Sequence, residues 1–269
     1  MTFEQAFDPY KKDFDEFVAA TNESPDKLRE FMKFATTYQE LPLRSDAKRG
    51  EQVLIWGEAC GLIGLPIVEK KVREAEATNY PLHVMVSGGE GGHEDDLNEI
   101  PGPHLARTFY EQTGLDIEGT RLSVDAFSEH TGHQAMILGA WFKTLGTKEV
   151  GVVEPLYHIS RFLLTLGYAC KNVFDIRPRF YPLPSGTWES TNPGKVAWRE
   201  DQNYTGDQGL SFSQIAFEPH HPRFRFDDPK TGHKSELERI ARGWNDREKL
   251  IVPCLKPAPA LEWFGCIKN

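Results

Sequence analysis

Short apolar runs alternate with longer stretches of helical hydrophobic spacing through the middle of the chain. The apolar runs predicted as strands are Gln52 to Trp56, Leu82 to Val86, Arg121 to Val124, Val150 to Val153 and Val173 to Ile176. The stretches predicted as helices are Leu65 to Ala77, Gly102 to Thr113, Thr131 to Leu145 and Tyr157 to Ala169. Strands that alternate with helices form parallel sheets covered on both faces. The pattern therefore predicts an α/β fold, a Rossmann-like three-layer sandwich with a mostly parallel sheet.

The two ends of the chain are less regular. Residues 3–37 have helical spacing with a break at Ser24-Pro25-Asp26, which predicts two short N-terminal helices. Residues 178–229 are rich in proline, aromatic residues, glycine and aspartate, so no regular element is predicted there, and a helix is expected over 235–245. We expect a single domain made of N-terminal helices (1–48), a Rossmann-like core (49–178) and an irregular C-terminal extension (179–269) that packs on the core.

The charge balance narrows the classes of partner. The 269-residue chain carries 31 basic and 40 acidic side chains, which gives a net charge of −9. Nucleic acids and anionic membranes are bound by basic surfaces, so the composition disfavours both as partners. Hydrophobic residues make up 39% of the chain, enough to build a sizeable core. We therefore expect a globular protein that binds a small molecule, and its oligomeric state is left open.

Neither the cysteines nor the N-terminus indicates export or a membrane anchor. The four cysteines form no CxxC pair, so buried free thiols are favoured over a zinc ribbon or a redox dithiol. The N-terminus lacks the basic start and apolar run of a secretory signal. The longest apolar stretch, Val53 to Val68, contains Glu58 and is shorter than the roughly 20 residues that span a bilayer. We therefore expect a soluble, cytoplasmic protein.

A glycine-rich segment, Ser87 to Asp96, directly follows the second predicted strand. Four glycines in five positions let the backbone N–H groups approach a ligand and form a nest suited to phosphate, carboxylate or a sugar edge. The segment matches neither GxGxxG nor Walker A, and a flexible turn explains it equally well. Its acidic end, with Asp95 and Asp96, is more typical of a solvated face than of a cation site.

A second polar segment lies between the third predicted strand and the next helix. His130 and His133 are three residues apart, a spacing that suits a metal pair or acid/base chemistry. No third ligand is adjacent in sequence, so acid/base chemistry is the preferred interpretation. Ser128 or Thr131 is expected to cap the helix, and capping alone would explain both hydroxyls.

A third polar segment begins the helix after the fourth predicted strand. Arg161 lies one turn beyond Tyr157 and is suited to clamp an anionic group, while His158 is placed to exchange a proton. Taken alone, an exposed helical arginine beside a capping neighbour is the simpler interpretation.

The position of the three segments favours a functional interpretation over these simpler ones, because each segment follows a predicted parallel strand. The carboxyl ends of such strands meet at one edge of the sheet, where ligands bind. The predicted catalytic residues are His130, His133 and His158. The predicted ligand-binding residues are Gly57, Ser87, Gly88, Gly89, Glu90, Gly91, His104, Ser128, Glu129, Thr131, Tyr157 and Arg161.

Four pieces in order give the chain, from Gln52 to Ile176, a resemblance to the YdcF/SanA/ElyC-like family. They are an apolar strand with a glycine loop (Val53 to Gly57), a strand followed by Ser-Gly-Gly (Val84 to Gly89), a segment similar to S-x-N-T-x-E-N-A (Ser128 to Ala135) and a helix start similar to F-H-x-x-R (Tyr157 to Arg161). The resemblance covers less than half of the chain. Each piece is weak alone, and their shared order is what makes the resemblance specific.

The resemblance implies a Rossmann-like fold and, for the soluble YdcF branch, S-adenosylmethionine as a ligand. SanA and ElyC are membrane-anchored, so the missing anchor points to the soluble branch. The chain departs from the family pattern at three places: His130 replaces an asparagine, His133-Gln134 replaces Glu-Asn, and a glutamate of the family is replaced near His104. These exchanges point to a different ligand or a different reaction.

The leading functional hypothesis is an enzyme, a transferase or a hydrolase, that acts on a nucleotide-like or otherwise polar metabolite with histidine acid/base chemistry. A metal-assisted hydrolase that uses histidines with Asp95 or Asp96 is the second hypothesis, and bound metal would distinguish it. The third is a non-catalytic ligand sensor or partner-binding module, in which the aromatic, proline-rich residues 178–226 form a contact surface.

Overall fold

Strands and helices alternate through the centre of the chain. This computed structural model describes residues 23–57, 64–88, 101–115, 122–185 and 253–264, together with the single positions Ala19 and Ile240. The strands are β1 (Gln52–Gly57), β2 (His83–Ser87), β3 (Leu122–Val124), β4 (Glu149–Pro155) and β5 (Arg179–Ser185). The helices are α1 (Pro25–Thr36), α2 (Leu65–Ala77), α3 (Pro101–Thr113), α4 (Thr131–Leu145), α5 (Leu156–Tyr168) and α6 (Pro257–Phe264).

The five strands form one parallel sheet in the order β3-β2-β1-β4-β5. The α/β fold with a parallel sheet is thus confirmed. Strand order reverses at β1, because the chain first builds outward through β2 and β3 and then returns to add β4 on the other side. In open α/β sheets, such a reversal opens a crevice beyond the carboxyl ends of the strands, where ligands bind.

Each face of the sheet is covered by its own hydrophobic cluster. Val53 and Ile55 of β1 belong to a cluster with side chains of α1, α4, α5 and α6, such as Phe162. Leu54 and Trp56 belong to a second cluster with side chains of α2 and α3. Successive side chains of a strand point to opposite faces. We call the first side of the sheet the α4/α5 face and the second the α2/α3 face.

The predicted fifth strand over Val173 to Ile176 is wrong. Helix α5 runs directly into a π-helical turn, Ala169–Val173, and Asp175 has a φ of 51°, which a strand does not allow. The true fifth strand is β5, within the segment where no element is predicted. Its two prolines argue against a strand in the sequence, since proline is tolerated in a sheet only on an edge strand. Strand β5 does lie at the sheet edge.

The described end of the C-terminal extension packs on the α4/α5 face. Leu255 N donates to Leu164 O of α5 at 2.9 Å. Helix α6, which the sequence pattern does not predict, then brings Phe264 to 4.8 Å from Phe180 of β5 and 6.0 Å from Phe31 of α1, measured between ring centroids. These contacts tie α6 and α1 to the same side of the sheet.

Two predicted helices fall largely outside the described residues, namely the first N-terminal helix and the helix over 235–245. The second N-terminal helix is α1, and Ser24 caps it, because its hydroxyl accepts a bond from Lys27 N at 3.4 Å. Within the part of the chain that the structure describes, no helix combines the length and apolar character needed to cross a membrane.

Buried His83 on β2 makes the stability of the fold depend on pH. Its Nε2 is 2.9 Å from Ser123 Oγ, and burial, followed by the charge of Arg49, lowers the pKa of His83. The unfolded chain therefore binds a proton at a pH where the folded chain does not, so stability rises with pH. We expect full stability above a pH of about 6.5, the ordinary histidine pKa, and a loss as the pH falls through and below it.

His83→Gln keeps a polar partner for Ser123 and removes the titrating group. We expect its free energy of unfolding to depend less steeply on pH between about 6.5 and 5 than that of the wild type. Urea titrations at several pH values measure this difference. Parallel pH profiles for the two proteins would show that His83 does not carry the dependence.

Candidate functional site

Four positions form a row across adjacent strands at the carboxyl edge of the sheet. Gly57 pairs in register with Ser87, and the pairs Trp56–Val153 and Val86–Val124 place Glu154 and Asp125 at the same level. Asp125 N also donates to Val86 O at 2.8 Å, which continues the pairing beyond β3. Since side chains alternate along a strand, all four positions point to the α4/α5 face. We call Asp125, Ser87, Gly57 and Glu154 the edge row.

Glu154 lies at the centre of the site, and the sequence analysis missed it. Its side chain is 1% exposed, and its carboxylate lies over Gly57, where even a methyl group would overlap its oxygens. The predicted fourth strand stops at Val153, whereas β4 continues to Pro155. Strand alternation from Val150 and Val152 was the signal that could have placed Glu154 on the same inward face.

Ser87 and Asp125 add further buried polar atoms to the edge row. Asp125 Oδ1 accepts bonds from Phe127 N at 2.9 Å and Ser128 N at 3.1 Å, which fixes the turn before α4. Asp125 Oδ2 and Ser87 Oγ have no hydrogen-bond partner among the described residues, although both side chains are at most 1% exposed. Buried polar groups normally have partners. These two atoms are therefore available to a ligand or to residues outside the described part.

The cap of α4 is His130, so the expectation that Ser128 or Thr131 caps this helix is wrong. His130 Nδ1 accepts bonds from Gly132 N at 3.1 Å and His133 N at 3.4 Å. The physical reason is the extended backbone of His130, with φ of −165° and ψ of 169°, which turns the imidazole over the first helical turn. Only the neutral ring offers an acceptor nitrogen.

The surroundings of His130 lower its pKa and so favour the neutral imidazole. The His130 and His133 rings stack with centroids 4.1 Å apart, and Glu129 Oε2 is 3.9 Å from His133 Nδ1. Desolvation of the imidazole lowers the pKa of His130 most, and the charges of His133 and Arg161 lower it further, against the opposing effect of Glu129. The geometry thus gives His130 a structural role as a helix cap.

Thr131 connects the starts of α4 and α5 beside the edge row. Arg161 Nη1 donates to Thr131 Oγ1 at 2.9 Å, and Thr131 Oγ1 is 3.4 Å from His158 Nε2. Arg161 can only donate, so the Thr131 hydroxyl accepts this bond and shares a second one with His158 Nε2. Three residues predicted to share the site are in this way brought together.

His158 is buried on the α4/α5 face, the face to which Glu154 also points. Its side chain is 5% exposed, and its ring stands edge-on to Phe162 with centroids 5.7 Å apart. Helix α5 begins directly after β4, so His158 follows Glu154 by four residues and faces the same side of the sheet. A buried imidazole, a carboxylate and a guanidinium on one face are the components of acid/base chemistry on a polar substrate.

The remaining predicted site residues divide into three groups. Gly88 is buried, and its carbonyl accepts a bond from Gly102 N at 2.8 Å, which places the start of α3 against the end of β2. His104 lies on α3, on the α2/α3 side of the sheet, where its Nδ1 is 3.3 Å from Arg107 Nη2. Outside the described residues lie Gly89, Glu90, Gly91, Asp95, Asp96 and the side chain of Tyr157.

Neither the metal-ligating side chains of the described residues nor the comparisons with known proteins assign a function to the site. Within the described residues, no group of three or more histidine, cysteine, aspartate or glutamate side chains is arranged to hold a metal ion. No protein-family model matches the chain, and a search of curated proteins finds no match to it. The resemblance to the YdcF/SanA/ElyC-like family therefore stays a prediction, and the function has to be argued from the geometry of the site.

Proposed function

We propose that this chain is an enzyme that binds a small polar or nucleotide-like metabolite at the carboxyl edge of the sheet, with His158 as its proton-transfer group. The observation that carries the proposal is the contact series from Arg161 through Thr131 to His158, on the same face of the sheet as the buried carboxylate of Glu154. The site lies at the reversal of strand order, which is where sheets of this kind bind ligands.

Arg161 and the starts of α4 and α5 favour an anionic group on the ligand. A guanidinium forms charge-assisted hydrogen bonds to carboxylate or phosphate, and helix N-termini add a partial positive charge. Thr131 holds the guanidinium at the start of α4. Arg161 is therefore the proposed anchor of the anionic group, and Gly57, Ser87, Gly88 and Ser128 are proposed to line the same site.

His158 suits proton transfer better than His130 or His133. His130 Nδ1 is occupied by the helix cap, and His133 lies beside Glu129 on the outer side of the first turn of α4. His158 instead has a fixed orientation, because its Nε2 faces Thr131 and its ring packs on Phe162. A positioned imidazole is the commonest general acid/base in enzymes. S-adenosylmethionine, the ligand that the family resemblance implies, is one candidate substrate.

Arg161→Gln tests this proposal. We expect isothermal titration of the full chain to show binding of S-adenosylmethionine or AMP, and the variant to weaken that binding by about tenfold or more, since hydrogen bonds to charged groups contribute about 1.5–3 kcal/mol. Arg73→Gln is the matched control, because Arg73 pairs with Glu69 on the exposed surface of α2. It should bind like the wild type.

The melting temperature of the Arg161→Gln variant distinguishes a binding role of Arg161 from a structural role. Arg161→Gln should melt within a few degrees of the wild type while it loses affinity. A variant that melts much earlier but keeps its affinity would contradict the proposal, as would wild-type protein that binds neither compound.

A further inference from the structure

We infer that the site is selective for a zwitterionic metabolite, whose ammonium group binds at the edge row and whose anionic group lies toward Arg161. This inference rests on the proposed function and names the substrate class of that same site. The charges at the two sides of the site have opposite signs. Glu154 and Asp125 supply carboxylates on the sheet, whereas Arg161 and two helix N-termini supply positive charge above it.

The three side chains of the edge row carry oxygen atoms that accept hydrogen bonds. Glu154 and Asp125 are each 1% exposed and Ser87 is 0% exposed. Burying a carboxylate costs free energy that a cation or hydrogen-bond donors must offset. A ligand ammonium offers three N–H donors and a positive charge, so it suits buried acceptor atoms such as Ser87 Oγ and Asp125 Oδ2. A polyanion such as a nucleoside triphosphate would be repelled by the same two carboxylates.

An independent observation comes from the atoms that lack partners in the described part of the chain. Ser87 Oγ and Asp125 Oδ2 are buried on the α4/α5 face without a hydrogen bond there. Ser87 is the register neighbour of Gly57, over which the Glu154 carboxylate lies. Adjacent strands are about 4.8 Å apart, so one ammonium placed between Ser87 and the Glu154 carboxylate can reach both.

The missing side chain at Gly57 gives this ammonium position its shape. Any Cβ there would overlap the Glu154 carboxylate, so the carboxylate can lie across β1 only because residue 57 is glycine. The carboxylate oxygens are thereby brought toward β2 and Ser87. Two strand ends and the glycine between them thus form a compact site of hydrogen-bond acceptors.

The test uses two matched pairs of probes on the full chain. O-phosphoethanolamine is compared with propyl phosphate, which replaces the ammonium by a methyl group. S-adenosylhomocysteine is compared with 5′-methylthioadenosine, which lacks the amino-acid end. We expect isothermal titration to show at least tenfold tighter binding of the zwitterion in at least one pair. Glu154→Gln, a neutral variant of similar shape, should reduce that preference to about twofold or less.

Two further variants keep the result interpretable if Glu154→Gln folds poorly. Ser87→Ala removes a hydroxyl that has no described hydrogen bond, so it should fold normally and still reduce the preference for the zwitterion. Glu262→Gln makes the same chemical change as Glu154→Gln on the exposed surface of α6 and should leave every affinity unchanged.

The outcomes separate this inference from the proposed function. Equal affinities within both pairs, with binding that still needs Arg161, would overturn the zwitterion inference and leave the proposed function standing. A preference that persists in both Glu154→Gln and Ser87→Ala would overturn the assignment to the edge row. If none of the four probes binds at millimolar concentration, the inference fails, and the proposed function fails with it only when S-adenosylmethionine and AMP do not bind either.

Discussion

Replacing Phe264 with alanine is expected to lower the free energy of unfolding by about 3–5 kcal/mol, the usual cost of removing a fully buried phenylalanine. Phe264 is 1% exposed, and its ring lies against four others, those of Phe31, Phe34, Phe180 and Trp263. Its ring centroid lies 4.8 Å from that of Phe180 on β5 and 6.0 Å from that of Phe31 on α1. Gly167 of α5 leaves room for it, since a Cβ there would lie 2.9 Å from Phe264 Cζ. The substitution would thus leave a cavity at the junction of α1, α5, α6 and the sheet.

Urea unfolding measures this loss, with Glu262→Ala as the control. Glu262 lies on the exposed side of the same helix, so its truncation should change stability by about 0.5 kcal/mol or less. A loss below about 1 kcal/mol for Phe264→Ala would mean that α6 does not form part of the core in solution. A large loss would establish that the C-terminal extension stabilises the α4/α5 face.

The central α/β units were predictable because their hydrophobic periodicity is strong. Helices α2 and α4 have the predicted bounds, Leu65–Ala77 and Thr131–Leu145, and the first four strands differ from prediction by at most two residues at either end. Strand β5 was not predictable in the same way. Its burial depends on pairing with β4, and its prolines argue against a strand unless the position at the sheet edge is already known.

The site was predictable only in part. Parallel-sheet topology was enough to expect His158, Arg161 and Thr131 to meet, and the structure brings them into contact. Strand alternation alone could have placed Glu154 on the inward face, but not its carboxylate over Gly57, because that contact depends on the register between β1 and β4 and on the absent side chain of Gly57. The cap of α4 was also missed, since histidine is not among the residues that usually cap helices.

Gly57→Ala is expected to weaken binding of the tighter zwitterionic probe, O-phosphoethanolamine or S-adenosylhomocysteine, by about a hundredfold. The added methyl group occupies the position of the Glu154 carboxylate and forces it away from Ser87. Losing a charged hydrogen bond contributes about 1.5–3 kcal/mol, which is a factor of about 10 to 150 in affinity.

The backbone itself should tolerate this change. Gly57 is not one of the glycines with positive φ, and alanine suits a strand better than glycine does. The expected loss of stability is therefore the overpacking of one buried methyl group, about 1–3 kcal/mol. Most of that loss should be recovered in the double variant Gly57→Ala with Glu154→Ala, which gives the methyl group its room.

The two substitutions should be strongly non-additive in stability, because the double variant relieves the overlap between them. They should be non-additive in binding too, because each alone already removes the carboxylate from the edge row. Unfolding curves and titrations of the two single variants and the double variant measure both quantities. If Gly57→Ala binds the probe as tightly as the wild type, the Glu154 carboxylate does not lie over β1 in solution. The polar side chains of the edge row would then be structural, and only the contacts of Arg161, Thr131 and His158 would remain to define the site.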